Sequence, residues 1–476
     1  MTAQTPNNPN GGIAHYFAKR RVIYPRSVNG YFRRLKWMIM ALTLGFYYLA
    51  PFIRWDRGPG APDQAILIDL NHARAYWFFI EIWPQEVYYL TAILVFSAIA
   101  LFYVTALFGR VWCGYFCPQT VWTDLFIRVE EWVQGDRGAR KRLDDGPWSF
   151  EKLWKKGTTH ALWVLIGLCT GGAFVFYFND APTLWAQILS GNIPFWPGAF
   201  IVGLTLSTYL MAGFAREQVC TYMCPYARFQ SAMFDKDTLV IGYDTTRGEP
   251  RGHYKKGESF DGRGHCIDCS ACVQVCPMGI DIRKGLQIDC IACGLCIDAC
   301  DDIMDKMNLP RGLIRYDSEK HLCNRTEPLK LSRIFLRPRS LYYLTILIAV
   351  ACVVLYGLLT RASYELHVLH DRNPLFVQLS NGDVRNGYDL KILNKTYIDQ
   401  NFRVRVTGLD QAEWAIRGAQ TPETITATSA TITTAHIFVS APHPKDPHHK
   451  IVIELENLQN GDKITQESWF ISKGTR

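Results

Sequence analysis

The sequence predicts a multi-domain membrane protein: a five-helix transmembrane bundle, a cysteine-dense segment between the fourth and fifth helices, and a carboxy-terminal all-β sandwich. Three observations predict it. Five apolar runs of close to twenty residues recur along the 476-residue chain, each long enough to cross a bilayer. Thirteen of the fifteen cysteines fall between Cys113 and Cys323 outside those runs. From Ala362 onward, short segments of alternating β-branched or aromatic and polar residues are separated by turn signals.

Residues 1–13 are rich in Pro, Asn and Gly and are expected to be disordered. Residues 14–36 carry seven Lys or Arg, among them Lys19, Arg20 and Arg21. The apolar runs then cover 37–53, 87–108, 159–178, 197–215 and 341–359. One such run could be a buried core helix; five together point to a membrane bundle in contact with lipid. Trp83, Trp112 and Trp122 suit interfacial anchors. The loop 109–158 carries nine Lys or Arg, 54–86 only Arg54, Arg57 and Arg74, and 179–196 none. The positive-inside rule therefore puts 1–36, 109–158 and 216–340 in the bacterial cytoplasm, and the domain 362–476, beyond the fifth helix at 341–361, in the periplasm. The first thirty residues lack an apolar core with a cleavage site, so no secretory signal is expected. A net charge of +8 is modest, and no nucleic-acid partner is expected.

The segment 216–340 carries the chemistry. It contains Cys266-x2-Cys269-x2-Cys272-x3-Cys276-Pro277, twelve further residues, and Cys290-x2-Cys293-x2-Cys296-x3-Cys300. Close-set trios with a remote fourth cysteine suit two [4Fe–4S] cubes, each needing four thiolates, with the fourth ligand exchanged between runs. Cys266, Cys269, Cys272 and Cys300 then hold the first cluster, and Cys290, Cys293, Cys296 and Cys276 the second. The segment is thus ferredoxin-like. Zinc sites show two well-separated C-x2-C pairs instead. Asp301 stands where a proline often follows the second run.

Two further motifs end helices two and four: Cys113-Gly-Tyr-Phe-Cys117-Pro118 and Cys220-Thr-Tyr-Met-Cys224-Pro225. Each follows an arginine, Arg110 or Arg216, and precedes an amphipathic segment, 119–132 or 226–234. On one helix, residues i and i+4 would share a face. Proline after the second cysteine suits the first turn of a new helix. Four converging thiolates favour Cu(I), zinc or an iron–sulfur cluster, although free cysteine also packs as a small hydrophobe. Cys323 beside His321 reads as a plain thiol, Met211 and Met223 as packing, His160 as interfacial, and His443 to His449 as a solvated loop.

The outer portion predicts strands at 364–370, 388–393, 402–407, 431–439, 451–455 and 463–470. Asn381-Gly382, Asn386-Gly387 and Asn460-Gly461-Asp462 supply the turns. An immunoglobulin-like sandwich without a disulfide follows, with packing or docking as its role.

On these motifs the chain resembles the CcoG/FixG (RdxA) family of cytochrome c oxidase accessory proteins. The likeness covers the five helices, the C-x3-C-P pairs at Cys113, Cys117, Cys220 and Cys224, the eight cluster cysteines and the outer β domain. It implies reduction of Cu(II) to Cu(I) for assembly of a cbb-type oxidase. The implied partners are a copper chaperone or a copper-exporting ATPase, together with oxidase assembly factors. The membrane half also resembles quinol-oxidising NapH-type ferredoxins, and the outer domain favours the first family. An assembly scaffold without enzymatic activity is the third reading. No G-x-G-x-x-G occurs, so no nicotinamide or flavin pocket is expected. The electron donor and any homo-oligomer stay open.

Overall fold

Each apolar run forms a helix long enough to cross a membrane: Tyr31–Phe52, Pro84–Phe108, Phe150–Phe176, Phe195–Ala215 and Pro338–Leu359. The structure, a computed structural model, describes residues 22–254, 260, 262–323, 334–417, 423–442 and 446–473. The amino-terminal residues 1–21, with Lys19, Arg20 and Arg21, lie outside that set. So do residues 443–445 of the histidine-containing loop and the side chain of Cys323. Phe46, Leu94, Leu165, Val202 and Val353 are exposed on the helices, a surface that hydrocarbon accepts and water penalises. The first and third helices start ahead of their apolar runs. Their opening turns carry Arg33, Arg34 and Lys36, and Glu151, Lys152, Lys155 and Lys156. The third and fourth helices approach closely where side chains are smallest. A Cβ on Gly171 would lie 2.8 Å from the Ile201 carbonyl oxygen, so glycine permits this packing.

Contacts divide the chain into two compact units, one ending at Ala351 and one starting at Cys352, which also includes residues 55–63. Within the first, the cysteine-dense segment is tied to the membrane helices. Asp298 accepts from the backbone N–H of Phe32 at 3.1 Å and of Arg33 at 2.7 Å, satisfying donors that a helix start leaves open. The two-stranded sheet of Leu239–Tyr243 and Ile314–Ser318 backs this segment, and its residues Ile241 and Ile314, with Leu313 just before it, are buried beside Cys266 and Cys272. A small three-stranded sheet, Ile66–Asp69, Arg74–Trp77 and Ile80–Ile82, fills the connection between helices one and two. It was not legible in the sequence, because strands of three or four residues carry too few alternations. Trp83 there is buried under the Arg74 guanidinium, 3.7 Å from its ring centre, rather than lying in an exposed interfacial position.

The second unit is an all-antiparallel sandwich. One sheet runs Glu413–Ile416, Thr431–Ala441, Val384–Asn394, Tyr364–His370, with Val377–Gln378 on the third of these. The other runs Thr424–Ala427, Gln400–Thr407, His448–Asn457, Lys463–Ile471. Alternate residues Tyr388, Leu390 and Ile392 meet Phe402, Val404, Ile451, Ile453 and Leu455 in the core, as the two-residue strand period requires. All six expected strands are present and, among the described residues, three short ones join them. Asn386-Gly387 is not a turn, however. It lies inside Val384–Asn394, where Asn386 Nδ2 donates to Ile471 O and accepts at Oδ1 from Ile471 N–H, both at 3.0 Å. A Cβ on Gly387 would lie 2.1 Å from Asp371 Oδ2, so a larger residue here would displace that carboxylate.

Candidate metal centre

The two cysteine runs fold as a repeat. Asp268 and Ser270 in the first, and Ala292 and Gly294 in the second, hold φ of 51°, 56°, 53° and 77°. Left-handed residues at alternate positions curl the backbone so that successive N–H groups face inward, a concavity suited to anionic iron–sulfur groups. A helix leaves each curl, Ala271–Gln274 and Leu295–Lys306.

The fourth cysteine of each run returns to the other. Cys266, Cys269, Cys272 and Cys300 line one pocket of about 360 Å³, walled by Tyr243, Ile303 and Leu313. Burial pushes the Cys300 thiol up to about 12, with Cys272, Asp301, Cys266 and Cys269 pressing the same way. Burial likewise raises Cys276 to about 12, reinforced by Cys293 and Cys290. Cys296 lies well above its ordinary range through burial and then Cys293, Cys290 and Cys276. Thiols held this close and this dry resist ionisation individually, and a metal cluster removes the conflict by taking their protons' place. Curled backbone, crossed tetrads and buried sulfur together fit two cubanes.

The C-x3-C-P residues occupy equivalent turns, though neither motif is one continuous helix as its i, i+4 spacing suggested. Cys113 sits in the short helix Val111–Tyr115, and Cys117 caps the next, Pro118–Gln134. Cys220 lies in a π-helical turn, Val219–Met223, and Cys224 caps Pro225–Ala232. The chain had to break at each proline, which lacks the N–H that a continuing helix needs. The four thiols still lie close enough to act on one another electrostatically. Burial lifts Cys220 to about 12, with Cys117 and Cys113 next in effect and Cys224 also contributing, against the Arg110 charge.

This second sulfur group abuts the second cluster loop. A Cβ on Gly114 would lie 2.7 Å from Ile291 O and 3.1 Å from Cys293 Cα. Tyr115 Oη donates to Cys293 O at 3.0 Å, Tyr316 Oη donates to Ala292 O, and Arg110 donates to Ile288 O. Gln230 Oε1, fully buried, accepts from Arg110 Nε and from Cys113 Sγ, both at 3.1 Å. Gln230 and Tyr316 escaped notice in the sequence, since no motif marks them, and Tyr115, though inside the first C-x3-C-P motif, showed no role there because its partner Cys293 O is remote in the chain. The only available hint for Gln230 was its place one turn and a half into the helix after Cys224-Pro225. Met211 and Met223 are exposed, as are Cys169 and Cys352 on their membrane helices. His321 pairs with Asp317 at 2.6 Å.

Comparison with known proteins follows the same lines. A family described as 4Fe-4S dicluster domain matches residues 215–319, and one described as 4Fe-4S binding domain matches 90–140. A family described as an IG-like fold at the C-terminal of FixG matches 354–473. The chain is 47% identical to the nitrogen fixation protein FixG of Rhizobium meliloti, over 90% of this chain and 87% of that protein. It is 45% identical to protein RdxB of Cereibacter sphaeroides, over 98% and 99%. A crystal structure of a FixG-related protein from Vibrio parahaemolyticus shares 27% identity, covering 24% of this chain and 98% of that one, with a TM-score of 0.21. Iron–sulfur motifs, membrane helices and the outer sandwich thus coincide along nearly the whole length, and the chain belongs to the FixG family.

Proposed function

We propose that this protein is a membrane-bound electron-transfer oxidoreductase that reduces Cu(II) to Cu(I) at Cys113, Cys117, Cys220 and Cys224. The observation that carries it is the direct packing of Gly114 and Tyr115 on the loop Ile291–Cys293, which sets one sulfur group beside the other. Iron–sulfur clusters, when bound by the two crossed tetrads, supply one-electron carriers of low potential. The chain's own residues then define the exit. Soft thiolates bind Cu(I) in preference to Cu(II), which makes gain of one electron by the metal favourable. Burial around Cys113 and Gln230 keeps water from competing for the ion. The basic loops support a cytoplasmic position for both sulfur groups and a periplasmic one for the sandwich. Copper chaperones, a copper-exporting ATPase and oxidase assembly factors are the partners such an activity would serve.

A second reading has its own support: the 4Fe-4S binding domain match at 90–140 spans Cys113 and Cys117, so the four cysteines could hold a further cluster. The double substitution Cys113→Ser/Cys117→Ser, purified without oxygen, separates the two. On the copper reading, iron and acid-labile sulfide stay at the wild-type level while Cu(II) reduction by dithionite-reduced protein falls at least about tenfold, since two of four soft ligands are gone. Unchanged copper reduction would refute the assigned role; a joint fall in iron and sulfide would favour a third cluster.

A further inference from the structure

The sandwich carries a cluster of metal-ligand side chains that the cysteine chemistry does not use. On its five-stranded sheet, Asp389 of Val384–Asn394 and His436 of Thr431–Ala441 are paired across neighbouring strands. Tyr388, Leu390 and Ile437 beside them are buried in the core, so the two-residue period turns Asp389 and His436 to the outer face. Asp371 follows the strand Tyr364–His370, and its N–H donates to Gly387 O at 3.0 Å. Gly387 keeps the space over the sheet clear. A Cβ there would lie 2.1 Å from Asp371 Oδ2 and 3.3 Å from His436 Cε1. One oxygen of each carboxylate and one ring nitrogen of His436 lie within 4.8 Å of one another.

The two sides of the imidazole differ. Asp389 Oδ1 lies 2.8 Å from Nδ1, and since a carboxylate only accepts, Nδ1 is the nitrogen that donates its proton. On the other side Nε2 faces Asp371 Oδ2 at 3.6 Å, longer than an N–H···O hydrogen bond. In the neutral ring two lone pairs oppose each other there, and a cation between them removes the conflict. Two ligands of one tetrahedral zinc ion, with bonds of about 2.0–2.1 Å, stand about 3.3 Å apart, close to the spacing found. Among the described residues no Lys or Arg pairs with either carboxylate, so two negative charges are left to balance a divalent ion. His370 is already engaged, its ring nitrogens 2.7 Å from Asp371 O and from Asn386 Oδ1.

We propose that His436 Nε2 and the Asp371 carboxylate bind a divalent first-row metal ion of the zinc class, with Asp389 as the positioning residue that fixes the ring through Nδ1. A carboxylate behind the imidazole sets the tautomer of a histidine ligand and makes it more basic. Imidazole nitrogen favours zinc-class ions over calcium and magnesium, and a site without thiolate or thioether does not select Cu(I). Two protein ligands leave the remaining tetrahedral positions to water or to a donor from another molecule. The three residues belong to the second unit, and the site does not depend on the copper-reducing reading.

The test uses full-length protein, purified anaerobically in detergent, with Zn(II) as the probe and Ca(II) as the control. In the wild type, Zn(II) should protect His436 from diethyl pyrocarbonate, read by mass spectrometry against the more exposed His367, and Ca(II) should not. In equilibrium dialysis, His436→Gln and Asp371→Asn should each lose one zinc ion per chain relative to wild type; zinc held by cysteines is common to all three and cancels. Asp389→Ala should weaken that ion by about 10–100-fold, the scale of losing a ligand's orienting partner. Asp389→Asn, whose amide oxygen still accepts from Nδ1, should restore part of the affinity. A wild-type His436 that Zn(II) leaves unprotected would overturn the site without recourse to any variant. Equal protection by Ca(II) would overturn the zinc-class assignment, and wild-type zinc content in both ligand variants would overturn the ligand pair.

Discussion

Gly114 shows how one side chain can set a functional distance. With no Cβ, it lets the turn bearing Cys113 rest on the carbonyls of Ile291 and Ala292. Gly114→Ala forces these segments apart and should destabilise the protein by about 1–3 kcal/mol, the usual cost of overpacking. Electron passage to copper should slow while iron content holds; thermal unfolding together with a copper-reduction time course reads both effects, and an alanine variant with wild-type kinetics would show that close packing here is dispensable. Gln230 works differently. Its one oxygen takes hydrogen bonds from Arg110 and Cys113, so Gln230→Leu leaves a buried guanidinium short of an acceptor, a loss of about 1.5–3 kcal/mol. Neither role could be read from spacing, because each depends on segments far apart in the chain. The cysteines could be read, since metal ligands recur at intervals that local backbone geometry imposes.

Among the elements, the amphipathic helix Pro118–Gln134 is pinned to the first membrane helix. Asp124, buried on it, bonds Arg33 at 2.9 Å and lies 3.7 Å from Lys36 on the first membrane helix. Burial opposes its charge, but Lys36 and Arg33 outweigh burial and hold its carboxyl below the ordinary carboxylate range. A group depressed in the fold stabilises it above the unfolded value, about 3.9, and that contribution is lost as pH falls below it. Resistance to denaturant in detergent should therefore drop on acidification from about pH 4 downward. Asp124→Asn should abolish that part of the pH dependence and cost about 3–5 kcal/mol at neutral pH by leaving two cations unpaired; a variant with the wild-type acid profile would refute the assignment. Asp298→Ala removes both cap bonds to the first helix, a loss of about 1–2 kcal/mol. The amphipathic helices were legible from periodicity and from Pro118 and Pro225. The break within each C-x3-C-P was not, since i, i+4 spacing is also compatible with one continuous helix. The sandwich strands were legible where alternation ran long. Asn386-Gly387 misled because the dipeptide's turn preference yields to a tertiary demand: a buried amide stapling one sheet to Ile471 of the other.

For the whole molecule, the first four membrane helices, a sulfur-rich electron carrier and a second sulfur group form one compact unit, while the FixG-type sandwich belongs to another with its own core. That division places the proposed electron transfer in the first unit. Removing residues 362–476 should leave iron content and dithionite-driven copper reduction close to wild type, and a loss of either would assign the sandwich a direct part. The most direct measurement is single-turnover mixing: protein reduced with dithionite, freed of excess reductant, and mixed anaerobically with Cu(II) while cluster absorbance and Cu(I) are followed together. The expected result is recovery of the oxidised cluster spectrum in step with Cu(I), one ion per electron, and a slowing of at least about tenfold in Cys113→Ser/Cys220→Ser as the soft ligands are lost. Reoxidation at an equal rate in wild type and variant would contradict copper reduction at these four cysteines.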